Sequence, residues 1–233
     1  MTQRNKFLIP AVTGAVSLAL FILLILLTKN VDVAAVEATG GEIGLSKLNQ
    51  GFHALTGFNK GWYTVTQITG IVAILTASAF AVTGVVQLIR TRSLRKVEPS
   101  LPAMGIIFAV TVFLYVLFDK LEINFRPIIM EGKTAPEASF PSSHTMLVCV
   151  VAGAAFLVTG RFVKDRRLQT SIRALCVMIA LITVFGRLIS GVHWLTDIVG
   201  AIFMSVTLLA LFCISLPLAE SIAGRKKGDG NDE

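Results

Sequence analysis

Long apolar runs separated by short polar connections dominate the sequence. Six runs stand out, at residues 7–28, 63–89, 101–118, 144–158, 174–189 and 197–218. About 18 or more mostly apolar residues are typical of a membrane-spanning helix, because a rise of about 1.5 Å per residue then covers most of the roughly 30 Å hydrocarbon layer. The fourth run is short by this measure, so its ends are expected near the interface or against neighbouring helices. The pattern predicts an all-α polytopic membrane protein with six transmembrane helices.

Composition and charge agree with this fold class. The chain is 54% hydrophobic and 15% charged, whereas a soluble domain has about 25% charged residues. A net charge of +7 would indicate nucleic-acid binding if the basic residues formed one patch. They occur instead in short clusters between the apolar runs, so no nucleic-acid partner is expected. Residues 1–223 are predicted to form one domain, followed by a charged, glycine-rich, disordered cytoplasmic tail at 224–233.

The distribution of lysine and arginine predicts the orientation. Fourteen of the 21 lie on one side, with two before the first run, four after the second, five after the fourth and three in the tail. Cytoplasmic connections carry the excess of such residues. Both termini are therefore expected in the cytoplasm of an integral plasma-membrane protein. The longest outer connection, 29–62, has Leu45, Leu48, Phe52 and Leu55 at helical spacing. It predicts an interfacial helix that serves as a rim or lid, or a packed connector.

Two histidines and an aspartate lie near the outer ends of the later runs. Ionisable residues at membrane helices are costly, so a functional role is the default hypothesis. His193 and Asp197 are four residues apart and would share a helix face. The carboxylate would orient one imidazole nitrogen and leave the other free as a nucleophile or base. Such a pair alone is more often a structural contact at a helix start, and the nearby cations shift the weight toward function. His144 is placed to donate a proton to a leaving oxygen.

Three cations and a helix start suggest a phosphate site on the same side. Lys120, Arg126 and Arg187 could together balance a phosphate dianion, with guanidinium forks contacting its oxygens. Each of them alone would also serve as an interface anchor. Ser142 or Ser143 could N-cap the fourth transmembrane helix and leave backbone N–H groups of its first turn for an anion.

These residues resemble the membrane-bound type 2 phosphatidic acid phosphatases, a family of lipid phosphatases that shares its site with acid phosphatases and vanadium haloperoxidases. The family motifs are Lys-x6-Arg-Pro, Pro-Ser-Gly-His and Ser-Arg-x5-His-x3-Asp. The third motif is matched from Arg187 to Asp197, with Gly186 in place of the leading serine. The second is matched at residues 141–144, with Ser143 in place of glycine.

The first motif departs from the family spacing. Arg126 is followed by Pro127 as in the family, but Lys120 lies six rather than seven residues before the arginine. Asp119 stands at the family position of the lysine. On an ideal helix a separation of six residues places two side chains about 120° apart, whereas seven nearly aligns them. Lys120 therefore contacts phosphate only if the helix ends or distorts before Arg126.

The resemblance implies a helical core like that of the haloperoxidases and a phosphatase that needs no metal or other cofactor. His193 would attack phosphorus and form a phosphohistidine, Asp197 would orient it, and His144 would protonate the leaving oxygen. The phosphate would be held by Arg126, Arg187, Ser142, Ser143 and, if it reaches, Lys120. The implied substrate is a lipid phosphate or diphosphate at the outer face, such as undecaprenyl diphosphate, phosphatidylglycerol phosphate or phosphatidic acid. A lipid phosphotransferase and a small membrane transporter are the alternatives.

Overall fold

Seven α-helices make up most of the computed structural model, which describes residues 3–36 and 39–224, with side chains from residue 7 onward. The helices are α1 Gln3–Asn30, α2 Ser46–Thr56, α3 Lys60–Thr91, α4 Ser100–Leu121, α5 Ser143–Phe162, α6 Arg166–Ile189 and α7 Leu195–Ile222. Two short strands, β1 Ala34–Ala35 and β2 Glu42–Ile43, pair antiparallel in the first outer connection. The tail predicted at 224–233 lies, apart from Gly224, outside the described residues.

The predicted all-α fold with six transmembrane helices is confirmed. Within the described residues, α1 and α3 to α7 are long and apolar enough to cross a membrane. The fourth of these is longer than the sequence pattern predicts, because α5 continues through Arg161 to Phe162. The Arg161 guanidinium forms ion pairs with Glu98 and Glu220, and these pairs stabilise its charge in the last turn of the helix. Because the chain runs through the bundle six times, the start of α1 and the end of α7 lie on the same side. The connections that carry the predicted site residues lie on the opposite side.

Helices α5 and α7 form the centre of the bundle. Buried residues make up 56% of the apolar window of α5 and 50% of that of α7, against 6% for α3. Side chains of α3 such as Leu75 and Ile89 are largely exposed. Outward-facing apolar side chains of this kind are expected where lipid replaces water. The two central helices therefore provide the rigid support from which the site residues project.

The connection between α4 and α5 is anchored by one aromatic side chain. Phe140 stacks on Phe21 of α1, with ring centroids 5.7 Å apart, and meets the ring of Phe118 of α4 edge-on at 6.4 Å. Gly200 of α7 leaves room for this ring, since a Cβ there would lie 2.7 Å from it. These ring contacts fix the position of the chain two residues before Ser142, the residue that precedes α5.

The predicted short helix of the first outer connection is α2. Leu48 and Leu55 are 53% and 83% exposed, whereas Ser46 and Asn49 are buried. The apolar side of α2 thus faces away from the protein, and its polar side faces inward. This arrangement suits a helix at the membrane interface that is also attached to the protein through polar contacts.

Candidate active site

The His193–Asp197 pair lies where α6 passes into α7. His193 is in the connection and Asp197 in the first turn of α7, and their side chains are 3% and 0% exposed. Nδ1 of His193 lies 3.3 Å from Oδ2 of Asp197, and the Trp194 backbone N–H donates to the same oxygen at 3.0 Å. Nε2 of His193 has no hydrogen-bond partner among the described residues. The carboxylate thus occupies one imidazole nitrogen and leaves the other available for a bound molecule.

The turn that presents His193 depends on a glycine. Gly191 has a φ of 64°, a conformation that other L-residues rarely adopt. A Cβ at this position would lie 1.8 Å from the carbonyl oxygen of Gly57, at the end of α2. The neighbouring Ser190 carbonyl accepts a hydrogen bond from the Asn59 backbone N–H at 3.1 Å. The connection therefore packs closely against residues 57–59 and is hydrogen-bonded to them.

Arg187 is buried behind the His193 turn and held by α3. Its side chain is among the least exposed in the protein, at 1%. Nη2 donates to Oε1 of Gln67 at 3.3 Å, and the guanidinium lies 5.3 Å from the ring centroid of Tyr63. Nε and Nη1 have no partner among the described residues, so they remain available for an anion. The sequence reasoning missed Gln67 and Tyr63, although a glutamine inside an apolar run was an available signal.

Arg126 approaches from the connection between α4 and α5. Its backbone N–H donates to the Glu137 carbonyl at 3.0 Å, beside an antiparallel bridge between Phe125 and Ala138. Nε of Arg126 lies 3.7 Å from Oε2 of Glu137, and Lys133 also pairs with this carboxylate at 3.1 Å. Glu137 therefore offsets part of the positive charge that Arg126 contributes.

Ser142, Ser143 and His144 open α5. Ser142 is the N-cap, and its Oγ accepts from the Thr145 N–H at 3.4 Å. The Ser142 backbone N–H donates to the Asp197 carbonyl at 3.0 Å, so it is not free for an anion. No hydrogen bond from the backbone N–H groups of Ser143 and His144 occurs within residues 39–224. Of the two predicted serines, Ser143 therefore has the N–H that a phosphate oxygen could use.

A polar cavity of about 130 Å³ joins several of these side chains. It is lined by Arg126, Ser143, His144, His193 and, unexpectedly, Asp119. Arg187, Ser142 and Asp197 are buried and do not themselves line the cavity.

A larger apolar groove of about 380 Å³ lies between α3, α4 and α5. Ile71, Ile74 and Val112 contribute to its walls. Ser143 and His144 line both the groove and the polar cavity. The polar site thus borders directly on an apolar surface within the bundle.

Lys120 is the predicted site residue that the structure leaves exposed and away from the cavity. Helix α4 remains regular to Leu121, and Glu122 then adopts a left-handed φ of 46°. Neighbouring helical residues point about 100° apart, so Asp119 lines the cavity while Lys120 is exposed outside it.

Close packing accounts for the departure from the family pattern at Gly186. A Cβ there would lie 2.7 Å from Cγ2 of Thr66 and 3.2 Å from Cε3 of Trp62. Helix α3 therefore approaches α6 so closely that the serine typical of the family would have to displace the Thr66 or Trp62 side chain. The same approach brings Gln67 and Tyr63 to Arg187.

Burial lowers the pKa of His193 well below its ordinary value, and the positive charges of Arg126 and Arg187 lower it further. His193 is therefore neutral near pH 7. A neutral imidazole retains the lone pair that a nucleophile or base requires.

This lowered pKa of His193 predicts a pH-dependent stability. Histidine in the unfolded chain titrates near pH 6.5, so below that pH the unfolded state binds the proton that folded His193 excludes. Stability is therefore lost as the pH falls through this range. We expect the thermal unfolding midpoint in detergent to drop between about pH 7.5 and about pH 5.5, and to drop less in His193→Gln. Equal drops in both proteins would contradict the assignment.

Within the described residues, no group of three or more histidine, cysteine, aspartate or glutamate side chains is placed to hold a metal ion. Cys149, Cys176 and Cys213 are free thiols.

The fold and site define an all-α polytopic membrane protein with a buried histidine–aspartate pair and two guanidinium groups at one end of the bundle. Residues 120–219 match the PAP2 superfamily. The structure is similar to the crystal structure described as the first transmembrane PAP2 type phosphatidylglycerolphosphate phosphatase from Bacillus subtilis, with a TM-score of 0.58 and 15% identity. This match covers 93% of the present chain and 98% of the other. Comparison with curated proteins gives no significant match. The family-model match includes all three motifs on which the predicted resemblance rests, and the structural match shows that the fold is similar along most of the chain.

Proposed function

We propose that this protein is an integral-membrane phosphatase that removes a terminal phosphate from a lipid phosphate or diphosphate. The observation that carries this proposal is the buried His193 imidazole. Its Nδ1 faces Asp197, and its Nε2 is unpartnered beside a cavity lined by Arg126 and His144. The PAP2 superfamily match and the phosphatase fold of the structural neighbour support the same class of reaction.

In the first step, Nε2 of His193 attacks phosphorus and the bond from phosphorus to the leaving oxygen breaks. The product is a phosphohistidine, and His144 donates a proton to the departing oxygen. Asp197 stabilises the positive charge that develops on the imidazole. The guanidinium groups of Arg126 and Arg187 stabilise the charge on the phosphoryl oxygens, as phosphoryl transfer requires.

In the second step, water attacks the phosphohistidine. His144, now neutral, accepts a proton from the water, and the bond between phosphorus and Nε2 breaks to release inorganic phosphate. This returns His193 to its starting state. The cycle needs no metal ion, because guanidinium groups and backbone N–H donors carry out the charge stabilisation.

The apolar groove supports a lipid as the substrate. It borders the polar cavity at Ser143 and His144, so a phosphate in the cavity would place its leaving group at the mouth of the groove. A lipid tail could then remain among apolar side chains of α3 and α4 while the headgroup reacts. The excess of lysine and arginine beside the termini supports a site at the outer face of the membrane.

The position of the ionisable residues disfavours a transporter. Residues that line a solute path are expected near the bilayer midplane on broken helices. Arg126, His144 and Arg187 lie instead at or beyond helix ends on one side of the bundle. Phosphotransfer to a lipid hydroxyl would use the same first step and is distinguished by its product.

The test is phosphate release by purified protein from undecaprenyl diphosphate, phosphatidylglycerol phosphate and phosphatidic acid in detergent. We expect free phosphate from at least one lipid, with activity retained in excess EDTA. A new phospholipid in place of free phosphate would establish the phosphotransferase. Loss of activity in EDTA, restored by a divalent cation, would refute the metal-free mechanism.

A further inference from the structure

We infer that Asn124, which lies outside the three family motifs, is a positioning residue that holds the carboxylate of Asp197. We further infer that the outer segment, residues 39–56, supports it through Asn49. The role rests on the proposed function. The inference also gives the first outer connection a role in positioning the site residues.

Asn124 lies directly beneath the histidine–aspartate pair and is fully buried. Its Nδ2 donates to Oδ1 of Asp197 at 3.3 Å and lies 3.4 Å from Oγ1 of Thr196. Its Oδ1 accepts a hydrogen bond from the Gly44 backbone N–H at 3.1 Å. Both ends of the amide are thus used, which determines its orientation: the donor faces Asp197.

The carboxylate of Asp197 is held from several sides, and Asn124 contributes one of the contacts. Its Oδ2 faces Nδ1 of His193 and the Trp194 N–H, its Oδ1 accepts from Asn124, and the Ser139 side chain also interacts with the carboxylate. Arginine and lysine side chains in the described range form no ion pair with Asp197. A buried carboxylate without a donor on one oxygen would either rotate or take up a proton. Either change would weaken its hold on His193.

Asn49 of α2 provides a second connection to the same turn. It is fully buried, and its Oδ1 accepts a hydrogen bond from the Thr196 backbone N–H at 3.2 Å. Its Nδ2 lies 3.0 Å from Oγ1 of Thr196 and 2.9 Å from the Gly44 carbonyl. Backbone N–H groups in the first turn of a helix have no acceptor within that helix. Asn49 of α2 therefore provides the acceptor for one such N–H in α7.

Gly44 joins the two asparagines. Its N–H donates to Asn124 and its carbonyl accepts from Asn49. A Cβ at this position would lie 1.6 Å from the Thr28 carbonyl oxygen, so the residue must be glycine for the backbone to reach this place. The outer segment is thereby packed against α1 and hydrogen-bonded to Asn124 and, through Asn49, to the start of α7.

The experiment compares two substitutions of the buried asparagine with one of an exposed asparagine. In Asn124→Leu we expect kcat to fall about 10–100-fold, the range seen when outer hydrogen-bond partners of site residues are removed. KM should change by less than about threefold, because phosphate contacts are retained. Asn30→Leu is the matched control. Asn30 is exposed and its amide bonds within its own helix, so wild-type kcat is expected.

Asn124→Asp separates positioning from a structural role. An ionised carboxylate at this position faces Asp197 without a proton to donate, whereas a protonated one can donate as the amide does. The titratable and charged groups around this network are Asp197, His193 and the guanidinium groups of Arg126 and Arg187. We expect kcat of Asn124→Asp relative to wild type to rise as the pH is lowered from about 8 to about 6. A merely structural defect would not be relieved in this way.

The outcomes are distinguishable from failure of the proposed function. If wild type releases phosphate and His193→Ala does not, the proposed function stands and the asparagine variants test the inference alone. A folded Asn124→Leu with wild-type kcat would overturn it. If Asn124→Leu does not fold, the test is kcat of Asn124→Asp divided by kcat of wild type. A ratio that stays constant across the pH range would overturn the inference. If wild-type phosphate release does not depend on His193, the proposed function fails and the positioning role fails with it.

Discussion

Replacing His193 with alanine is expected to reduce phosphate release on the order of 10⁶-fold, as removal of the nucleophile does in other enzymes with a covalent intermediate. The substitution removes the unpartnered Nε2, and no neighbouring group takes over its role in the proposed mechanism. Asp197 would be left facing an empty site. Phosphate binding by Arg126 and Arg187 would persist, so the loss falls on the chemical step.

The measurement is a single-turnover assay with lipid substrate labelled at the terminal phosphate. Wild type should form an acid-labile phosphoenzyme, because a phosphorus–nitrogen bond hydrolyses in acid, and His193→Ala should form none. Thermal unfolding of both proteins controls for folding. Wild-type-like turnover by a folded His193→Ala protein would refute His193 as the nucleophile.

Replacing His144 with alanine is expected to reduce kcat by roughly 10²–10⁴-fold, the range for loss of a general acid or base. His144 lies at the first turn of α5 and borders both the polar cavity and the apolar groove. This is the junction at which the leaving oxygen would stand. The reduction should be smaller for a diphosphate than for a phosphomonoester, because a phosphate leaving group needs less protonation than an alkoxide.

A comparison of wild type and His144→Ala on one lipid diphosphate and one lipid phosphomonoester measures this difference. A general acid predicts a larger ratio of wild-type to variant kcat for the monoester. Equal ratios for the two substrates would show that His144 does not protonate the leaving group, and would indicate a role in phosphate binding instead.

Much of the fold was predictable because membrane-spanning helices depend on local composition. Each of the six runs is apolar over its own length, and the resulting helices satisfy their own backbone hydrogen bonds. The structure extends the fourth predicted helix to Phe162 because ion pairs with Glu98 and Glu220 accommodate Arg161. Those partners are distant in sequence, so the extension was not visible in the local pattern.

The site was predictable where its residues lie at a regular spacing. His193 and Asp197 face each other because four residues make about one helical turn. Lys120 shows the limit of this reasoning. A lysine is suited to a phosphate site, but the direction in which the Lys120 side chain points depends on where α4 ends and on how the helix is rotated. The rotation places Asp119 in the cavity.

The sequence by itself determined the class of fold, the number of spanning helices and the histidine, aspartate and arginine residues of the candidate site. The fold class and the number of helices follow from hydrophobicity, and the candidate site residues follow from short motifs and from the family that these motifs resemble. The tertiary structure alone decided which groups hold them: Gln67 and Tyr63 at Arg187, Asn124 at Asp197, and Asn49 at Thr196. The side chains that these hydrogen bonds join are 72 to 147 residues apart in the chain. Contacts of this kind arise from the packing of helices, and no periodicity in the chain specifies them.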